Sequence, residues 1–448
     1  MASFVSNTPE DIRKMLSTIG VEKFEDLLSE IPENLRIKGG LKLPAALSEF
    51  EAEKLLTKIA GRNYDPAKFV SFIGAGVYDH VIPSLVDYVI SRPEFYTAYT
   101  PYQPEVSQGT LTSIYEYQSL ITELMDMSVS NASVYDLGSA LGEAVHMARD
   151  ITMRHRILVS ETLHPYHTEV IRTYASGLDI PVEMLPSKEG LLDILALDEA
   201  LSNEDVAAVI ISHPNFFGML ESVYEISDKV HSAGAFLVVS VDPISLGILS
   251  PPGSYSADIA VSEGQSLGLS QGFGGPYLGV FTCKKDFIRR LPGRLIGRTV
   301  DAEGKPGFVM TLQTREQHIR REKATSNICT NEALCALAAT VFLSVIGKQG
   351  IKDMANLSLQ KAHYLSERIE KLSGFEIAFR GSFFKEFAVR TKKPASKIVE
   401  SAAEKGFLAG VDLGRFKDDW SDLLLVAVTE KRTKQEIDSF VDVLASIA

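Results

Sequence analysis

Three tyrosines recur at intervals of three residues in a short segment that is rich in polar side chains. Tyr96, Tyr99 and Tyr102 alternate with hydroxyl, amide and carboxyl groups within residues 94–108. Aromatic faces can stack on a planar ligand, and hydroxyl and amide groups can orient a small polar one. The same residue types would also suit a packing surface, so a ligand site and a packing surface are equally open.

A basic stretch, residues 315–331 (REQHIRREKATSNICTN), ends in hydroxyl and amide side chains. Arg321 stands shortly before Thr325 and Ser326. Arginines followed by hydroxyls suit an anion such as a phosphate or a carboxylate. The alternative, which a generic basic run favours, is a solvated helix end.

Histidines and known nucleotide motifs give weaker signals. His164 and His213 each precede a proline beyond a predicted strand, and His80 lies in a glycine-containing segment. A lone histidine is more often structural than catalytic, and no HExxH or other tight ligand cluster occurs, so we expect no metal site. The phosphate-binding loop GxxxxGK[ST] and a GxGxxG after a strand are also missing, which removes the best markers of an NTPase or a dinucleotide-binding enzyme.

Short β-branched runs alternate with helical stretches between about residues 150 and 285. The predicted strands are 156–160, 206–212, 235–242, 258–263 and 277–283. Continuous apolar strands separated by helices predict a mostly parallel sheet that is covered on both faces. Ligands of such sheets bind at the carboxyl ends of the strands, where the segments 212–218, 242–243 and 263–275 follow.

The remaining chain is predicted to flank this sheet. Residues 1–69 form a helical segment in which Thr8 caps one helix, while Ser48 and Glu51 form a capping box for a second. Much of 70–135 is expected to be ordered loop. A long helix over 351–372 and three later strands predict a small α+β domain. The predicted domains are therefore 1–69, 70–350 and 351–448.

Composition limits the possible partners and compartment. The 448 residues are 45% hydrophobic and carry a formal net charge of -13, which argues against nucleic acid or an anionic membrane as the main partner. Three cysteines at spacings that fit no zinc site indicate a reducing, cytoplasmic setting. We expect no membrane span, because no apolar run reaches the necessary length, and no secretory leader.

Several long and unusual strings resemble the glycine cleavage system P-protein. They are TAYTPYQPEVSQG (97–109), NASVYD (131–136), HPNFFG (213–218), EGQSLG (263–268), GFGGPYLGVF (272–281) and the basic stretch 315–331. The resemblance covers essentially the whole chain and matches the separate first subunit of the two-subunit form. It implies the α/β fold of pyridoxal-phosphate (PLP)-dependent aminotransferases (fold type I), with a large, mostly parallel domain and a small C-terminal α+β domain.

The resemblance also bears on where the cofactor is held. The family's catalytic half carries a lysine that binds PLP just before a glycine-rich loop, but the matching stretch here, 262–275, has no lysine. Gln265 or Ser266 stands in its place. The resemblance therefore implies that PLP is bound covalently to a partner chain. In such folds an acid at the position of Asp242 pairs with the pyridine nitrogen of PLP. The resemblance then implies that Asp242, which is followed by Pro243, no longer has this role.

The activity implied is that of glycine dehydrogenase (decarboxylating): loss of CO2 from glycine and transfer of the aminomethyl group to the lipoyl arm of H-protein. The family suggests an α2β2 heterotetramer with a second subunit. Four loop residues are implied to reach the partner's bound glycine or PLP: Tyr99, Thr100, Tyr102 and Gln103. Three more are implied to hold phosphate or close the interface: Arg321, Thr325 and Ser326.

Two other readings stay open at the level of the sequence. One is a self-sufficient homodimeric PLP enzyme that uses Lys284, Lys285 or Lys323; the missing lysine in 262–275 counts against it. The other is a non-catalytic interaction protein that has kept the fold. The dense polar and aromatic loop 96–108 counts against this reading, because a decayed site need not retain such a set.

Overall fold

The computed structural model describes residues 6–64, 68–202, 205–272, 274–275 and 277–447. The chain divides into two compact units, Met1–Asp65 and Pro66–Ala448. The first boundary lies close to the predicted one at residue 69. The predicted boundary at residue 350 falls inside a helix, so the division of residues 70–448 into two domains stays a prediction.

The helices are listed here in chain order. They are α1 (Pro9–Ile19), α2 (Glu49–Ala60), α3 (Ser84–Ile90), α4 (Pro93–Tyr96), α5 (Gln108–Met125), α6 (Leu137–Thr152), α7 (Pro165–Ser176), α8 (Ile194–Leu201), α9 (Val223–Ser232), α10 (Gln317–Arg320), α11 (Ala333–Ile369), α12 (Ala395–Ala403) and α13 (Lys434–Ile447).

The strands follow the same convention. They are β1 (Val70–Ser71), β2 (Val129–Ser130), β3 (Arg156–Ser160), β4 (Val182–Leu185), β5 (Ser187–Lys188), β6 (Leu191–Leu192), β7 (Val206–His213), β8 (Phe236–Val241), β9 (Ile259–Glu263), β10 (Gly279–Cys283), β11 (Leu295–Val300), β12 (Pro306–Thr311), β13 (Phe375–Ile377), β14 (Glu386–Thr391), β15 (Phe407–Leu408), β16 (Val411–Asp412) and β17 (Leu423–Ala427).

The first unit contains the two capped helices that the sequence predicts. The Thr8 side chain accepts a hydrogen bond from the Asp11 backbone at the start of α1, and Ser48 does the same with Glu51 at the start of α2. Among the described residues of this unit, Leu16 alone is buried. Most of the unit's apolar side chains are therefore exposed.

A seven-stranded sheet forms the centre of the second unit. Its strand order is β2-β10-β9-β8-β7-β3-β4, and the strands from β9 to β4 run parallel. Only β10 runs against its neighbours β9 and β2. The prediction of a mostly parallel sheet is confirmed.

The sheet is buried on both faces, as its continuous apolar strands predict. In β8, Leu237 and Val239 pack in one core cluster, whereas Val238 packs in another. Neighbouring residues of a strand point to opposite faces, so this alternation places one cluster on each side of the sheet. The parallel strands β3, β7, β8 and β9 consequently end at one edge of a rigid layer.

A smaller antiparallel sheet of order β13-β14-β17-β16 follows near the C-terminus. The second half of α11 and the helix α13 pack on it through Leu365 and Phe440. The early strand β1 also belongs to this part of the molecule, because it pairs in parallel with β15. Residues just after the first unit are thus tied to the C-terminal region.

Of two predictions about helices, one is wrong and the other agrees with the structure. The segment 70–135, expected to be mostly loop, contains the 18-residue helix α5. The buried positions Leu111, Ile114 and Ile121 repeat at helical spacing, so the signal was present but was outweighed by the surrounding Pro and Gly. The predicted start of the long helix agrees with the structure, because the backbone of Gly347 is non-helical (φ 57°, ψ −173°) and breaks α11 there; a further helical stretch, from Ala333, precedes the break.

Helix α11 is long and apolar enough, by length and composition alone, to cross a membrane. The expectation that no apolar run reaches this length is wrong by that measure. Half of its most apolar stretch is buried inside the protein, and Ala339 and Phe342 are fully enclosed in the core. This degree of enclosure is typical of a central core helix.

Candidate active site

A cavity of about 70 Å³ opens at the carboxyl ends of the parallel strands. Its wall includes Ser212, Asp242 and Glu263, which lie at the ends of β7, β8 and β9, and Glu386 at the start of β14. This is the edge at which parallel α/β sheets bind their ligands. The segments 212–218, 242–243 and 263–275, predicted to meet there, all contribute to this edge.

A buried ion pair lies at this edge. The ammonium nitrogen Nζ of Lys385, just before β14, is 2.7 Å from Oδ2 of Asp242. Lys385 is only 1% exposed, and its Nζ also lies 3.6 Å from the ring centre of Tyr78 and 2.9 Å from Nε2 of His80. A buried ammonium is stable only when it is paired and hydrogen-bonded, and these contacts meet that requirement.

Tyr78 and Glu386 extend the same polar cluster. The Tyr78 hydroxyl donates to Oε2 of Glu386 at 2.9 Å, and the Ala75 backbone N–H donates to Oε1 at 2.7 Å. Burial raises the pKa of Glu386 to about 7. Burial, followed by the negative charge of Glu386, raises the pKa of the Tyr78 hydroxyl well above its usual value, so Tyr78 stays protonated.

His80 is held neutral within the cluster. The Lys385 ammonium can only donate, so Nε2 of His80 must accept, and Nδ1 carries the hydrogen toward Glu430 at 2.6 Å. Burial, and then the neighbouring Lys385 charge, lower the pKa of His80. This histidine therefore links two charged groups while it is itself neutral.

The other histidines at this edge are also neutral. Burial lowers the pKa of His164 to about 3, and it lowers the pKa values of His167 and His213 to about 4. His164 packs its ring 4.7 Å from the ring of Phe216. No group of three or more His, Cys, Asp or Glu side chains among the described residues is arranged to hold a metal ion.

Gln265, which stands near the position expected for a cofactor lysine, has a structural role here. Its Oε1 accepts from the Tyr78 backbone N–H at 2.9 Å, while its Nε2 donates to the carbonyls of Tyr78 and Leu269. The side chain is 1% exposed. Gln265 therefore ties the loop after β9 to the segment that carries Tyr78 and His80.

The loop after β9 also contains two overlapping G-x-S-x-G strings, 264–268 and 268–272, a pattern shared with serine hydrolases. In such an enzyme the serine sits on a sharp turn between a strand and a helix. Here β9 is followed by a single 3-10 turn, Gly264–Ser266, and no helix follows within the described residues 267–272. The nucleophile geometry of a hydrolase is therefore not formed.

The three lysines proposed for a self-sufficient enzyme lie away from the cavity. Since β10 runs antiparallel to β9, its end at Cys283 pairs with Ile259 at the start of β9. Lys284 follows directly and pairs with Asp258 at 2.6 Å, and Lys285 comes next. Both lie at the amino edge of the sheet. Lys323 is exposed in a 3-10 turn, Arg321–Lys323.

The predicted loop residues are largely exposed, and two of them contact a buried arginine. Tyr99 is 89% exposed and Tyr102 is 49% exposed. Arg294, just before β11, donates from Nη1 to the Thr100 hydroxyl and from Nη2 to the Tyr102 hydroxyl, both at 3.1 Å. Gln103 is exposed beside them. Thr100 and Tyr102 are thus brought together, and Tyr99 and Gln103 face outward.

The basic stretch reaches the same arginine through its C-terminal end. Nη1 of Arg294 also donates to the Thr330 hydroxyl at 3.1 Å. Thr325 and Ser326 line a separate cavity of about 10 Å³ with Arg315. Arg315 in turn donates to the Gly293 carbonyl at 3.2 Å. The segment 291–294 therefore connects the two motifs that the sequence singled out.

Arg321 is not among the residues that line this cavity with Thr325 and Ser326. Its side chain is exposed, and its backbone has φ 55° and ψ −127°, a conformation that a non-glycine residue adopts only under strain. Ser326 instead hydrogen-bonds the buried carboxyl of Glu143. The three residues predicted to hold phosphate are therefore not gathered into one cluster within this chain.

Two buried cations at these sites, Lys385 and Arg294, were missed by sequence reasoning. Neither lies in a recognisable motif: Lys385 precedes a strand of the small sheet, and Arg294 follows a proline-glycine turn. Their partners Asp242 and Thr100 are more than 140 residues away along the chain. The local signal for the enclosure of Lys385 is that Phe384 and Phe387 flank Lys385 and Glu386 in the sequence.

Comparison with solved structures identifies the fold. The chain superposes with a TM-score of 0.91 on the crystal structure of a glycine decarboxylase (P-protein) of the glycine cleavage system in inhibitor-bound form, at 39% identity over 100% of both chains. A sphingosine-1-phosphate lyase from Burkholderia pseudomallei shares the fold alone, with a TM-score of 0.67 and 12% identity over 93% of this chain and 94% of that one. The fold is the PLP-dependent transferase fold, type I.

Sequence comparison is more specific. The family model described as glycine cleavage system P-protein matches residues 2–444. The protein named Probable glycine dehydrogenase (decarboxylating) subunit 1 of Chlorobaculum parvum is 53% identical over 99% of this chain and 99% of its own length. The chain belongs to the glycine cleavage system P-protein family.

The strand-end cavity of this chain does not fit PLP. The Asp242 carboxylate, which would face the pyridine nitrogen, is already paired with Lys385. Residues 262–275 offer no lysine for covalent attachment. A cavity of about 70 Å³ has room for on the order of five waters, and the acidic groups Glu263 and Glu386 line it, which is unfavourable for an anionic phosphate.

Proposed function

We propose that this chain is the subunit of a two-subunit glycine decarboxylase that does not hold PLP. Together with a second subunit it decarboxylates glycine and passes the aminomethyl group to the lipoyl arm of H-protein. The observation that carries the proposal is the Lys385–Asp242 pair, which closes this chain's own cofactor position in a fold built around PLP. The 53% identity to a protein named as subunit 1 also supports the assignment of this chain as one of two subunits.

The contribution of this chain would come from its exposed loop. Tyr99, Tyr102 and Gln103 are accessible to a partner. Thr100 and Tyr102 are held by hydrogen bonds from Arg294. In the complex, these groups would contact glycine bound at the second subunit. PLP held by a lysine of that subunit would supply the electron sink for loss of CO2. Thr325, Ser326 and Arg321 are proposed to support the interface or the cofactor phosphate.

The proposed assembly is an α2β2 heterotetramer in the cytoplasm. The first unit supports a protein partner, because Leu35, Ile37, Leu41 and Leu43 are each at least 67% exposed. Exposed apolar side chains that are grouped within a short segment favour an interaction surface, whereas on monomers such side chains are usually scattered singly. The lipoylated H-protein is the proposed second partner.

Borohydride trapping tests the proposal directly. The chain alone, the second subunit alone and their mixture are incubated with PLP, reduced with borohydride and analysed for labelled peptides. We expect the label only on the second subunit, and glycine decarboxylation only in the mixture. Label on this chain would contradict the proposal and favour a self-sufficient PLP enzyme, the alternative function.

A further inference from the structure

A second cavity, of about 160 Å³, lies beside the exposed loop. Its wall includes Tyr99 and Thr100 of the loop, Thr330 and Asn331 at the C-terminal end of the basic stretch, and Arg294. Arg294 is 4% exposed. The cavity therefore combines several hydroxyl and amide groups with one enclosed cation.

The charge of Arg294 is not matched within the described part of the chain. Its three hydrogen-bond partners, Thr100, Tyr102 and Thr330, are neutral hydroxyls. No ion pair of Arg294 occurs among the described residues, and its buried Nε has no hydrogen-bond partner there. None of the side chains described as lining the cavity is acidic.

A buried guanidinium without a carboxylate is unfavourable, and the other buried arginine shows the usual solution. Arg432, which is 6% exposed, pairs with Asp79 at 2.9 Å. The ring of Tyr102, 5.3 Å from the Arg294 guanidinium, offers only a weak cation–π contact. Arg294 is therefore a cation that still lacks its anion.

We propose that Arg294 and the hydroxyls around it form a subsite for the carboxylate of a small amino acid. The inference rests on the proposed function, in which glycine is the substrate. A planar guanidinium is the side chain best suited to a carboxylate, and the neighbouring hydroxyls of Thr100 and Thr330 can donate to the same oxygens. The cavity volume suits a small ligand better than a macromolecular segment.

This subsite would act on binding and orientation. A carboxylate held by Arg294 fixes one end of the amino acid beside Tyr99 and Tyr102, while its amino group is left free to face the second subunit. Recognition of the carboxylate would also discriminate against amines that lack it, since such ligands would leave the buried cation unpaired. Arg294 is thus assigned to substrate binding.

The test compares Arg294→Gln, which removes the charge, with Arg294→Lys, which keeps it. Arg298→Gln is the matched control, because Arg298 is exposed on the neighbouring strand β11 and lies outside the cavity. Each variant is measured in complex with the second subunit for KM, kcat and PLP affinity. Formate, a carboxylate that is not a substrate, serves as a competitive probe.

We expect Arg294→Gln to raise the KM for glycine by roughly 10- to 100-fold, the range of a charge-assisted hydrogen bond, with a smaller change in kcat. Formate should inhibit the wild-type complex and Arg298→Gln but not Arg294→Gln, and Arg294→Lys should be intermediate. PLP affinity should not change. Equal kinetic constants in Arg294→Gln and the control would overturn the proposal.

A parallel measurement uses the full chain without its partner. Formate at millimolar concentration should raise the Tm of the wild-type chain and of Arg298→Gln. The rise in the Tm of Arg294→Lys should be smaller. If only inorganic phosphate gives the shift, and Arg294→Gln weakens PLP binding at unchanged KM, the anion is a phosphate and the proposal fails. A wild-type complex that binds formate but does not decarboxylate glycine would instead refute the proposed function.

Discussion

At the scale of single residues, one lysine, Lys385, balances the charge of the buried acid Asp242 at the strand-end cavity. The resemblance to fold type I places Asp242 where an acid would pair with a cationic ring nitrogen. Here Nζ of Lys385 provides the positive N–H instead, at 2.7 Å. The ion pair keeps the buried acid compensated within this chain, which supports the proposal that the second subunit holds PLP.

Replacing Lys385 by Met should strongly destabilise the chain. The substitution leaves Asp242, which is only 12% exposed, without its partner, and breaking such a pair typically costs about 3–5 kcal/mol. Urea unfolding followed by circular dichroism measures the loss. The double variant Lys385→Met/Asp242→Asn should recover part of it, because no charge is then left unpaired.

Lys285→Met, at an exposed position, is the control for removal of a lysine. We expect its free energy of unfolding to lie within about 0.5 kcal/mol of the wild-type value. If Lys385→Met loses no more unfolding free energy than this control, a stabilising role for the ion pair is contradicted. A double variant as unstable as the single one would point to lost packing instead.

At the scale of elements, helix α6 encloses an acidic group within an apolar layer. It packs between the sheet and α7, and ten of its sixteen residues are buried, including Glu143. Burial raises the pKa of Glu143 to about 7, although the Ser326 hydroxyl opposes the shift, and its Oε2 has no partner among the described residues. The helix is therefore most stable when this carboxyl is protonated.

This arrangement predicts a pH dependence with a defined sign. The folded pKa of Glu143 lies above the value of 4.5 for an unperturbed glutamate, so its contribution to stability falls as pH rises from about 4.5 to about 7 and is constant above. Glu143→Gln mimics the protonated form and should become more stable than the wild type over that range, by up to about 3 kcal/mol.

Thermal unfolding of both proteins at pH 5 and pH 8 measures this difference. The Tm gap between Glu143→Gln and the wild type should widen at the higher pH. Glu169→Gln on the exposed side of α7 is the control and should show no pH-dependent gap. A gap that stays constant between the two pH values would show that Glu143 is ionised throughout.

At the scale of the whole molecule, the two units differ in how they bury apolar side chains. The second unit encloses its sheet completely, whereas the first buries Leu16 alone among its described residues. A net charge of -13 keeps such a chain soluble by repulsion between copies, and apolar contact with a partner remains possible. The first unit therefore leaves most of its described apolar side chains accessible to a partner.

We expect the isolated chain to bind the hydrophobic dye ANS, and the fluorescence to fall when the second subunit is added. Leu35→Ser/Leu41→Ser/Leu43→Ser should weaken the complex by at least tenfold in Kd, because three exposed apolar side chains are lost from the surface. Leu195→Ser in α8, where the leucine is 77% exposed, is the control. Unchanged affinity in the triple variant would place the interface elsewhere.

The sequence by itself determined the local elements and the family. Caps at Thr8 and Ser48, the apolar runs of the parallel strands and the basic stretch 315–331 are signals between neighbours in the chain, and local physical chemistry is sufficient to read them. The fold class and the missing lysine in 262–275 followed from the same kind of signal. Helix α5 was misread because nearby Pro and Gly weighed more than its helical spacing.

Only the tertiary structure decided which charges meet. Lys385 reaches Asp242 from another sheet, and Arg294 gathers Thr100, Tyr102 and Thr330 from segments far apart in the chain. Burial then sets their chemistry, because a low-dielectric surrounding makes an unmatched charge costly and a matched one stable. Sequence spacing carries no record of that enclosure, since it arises where distant elements pack together.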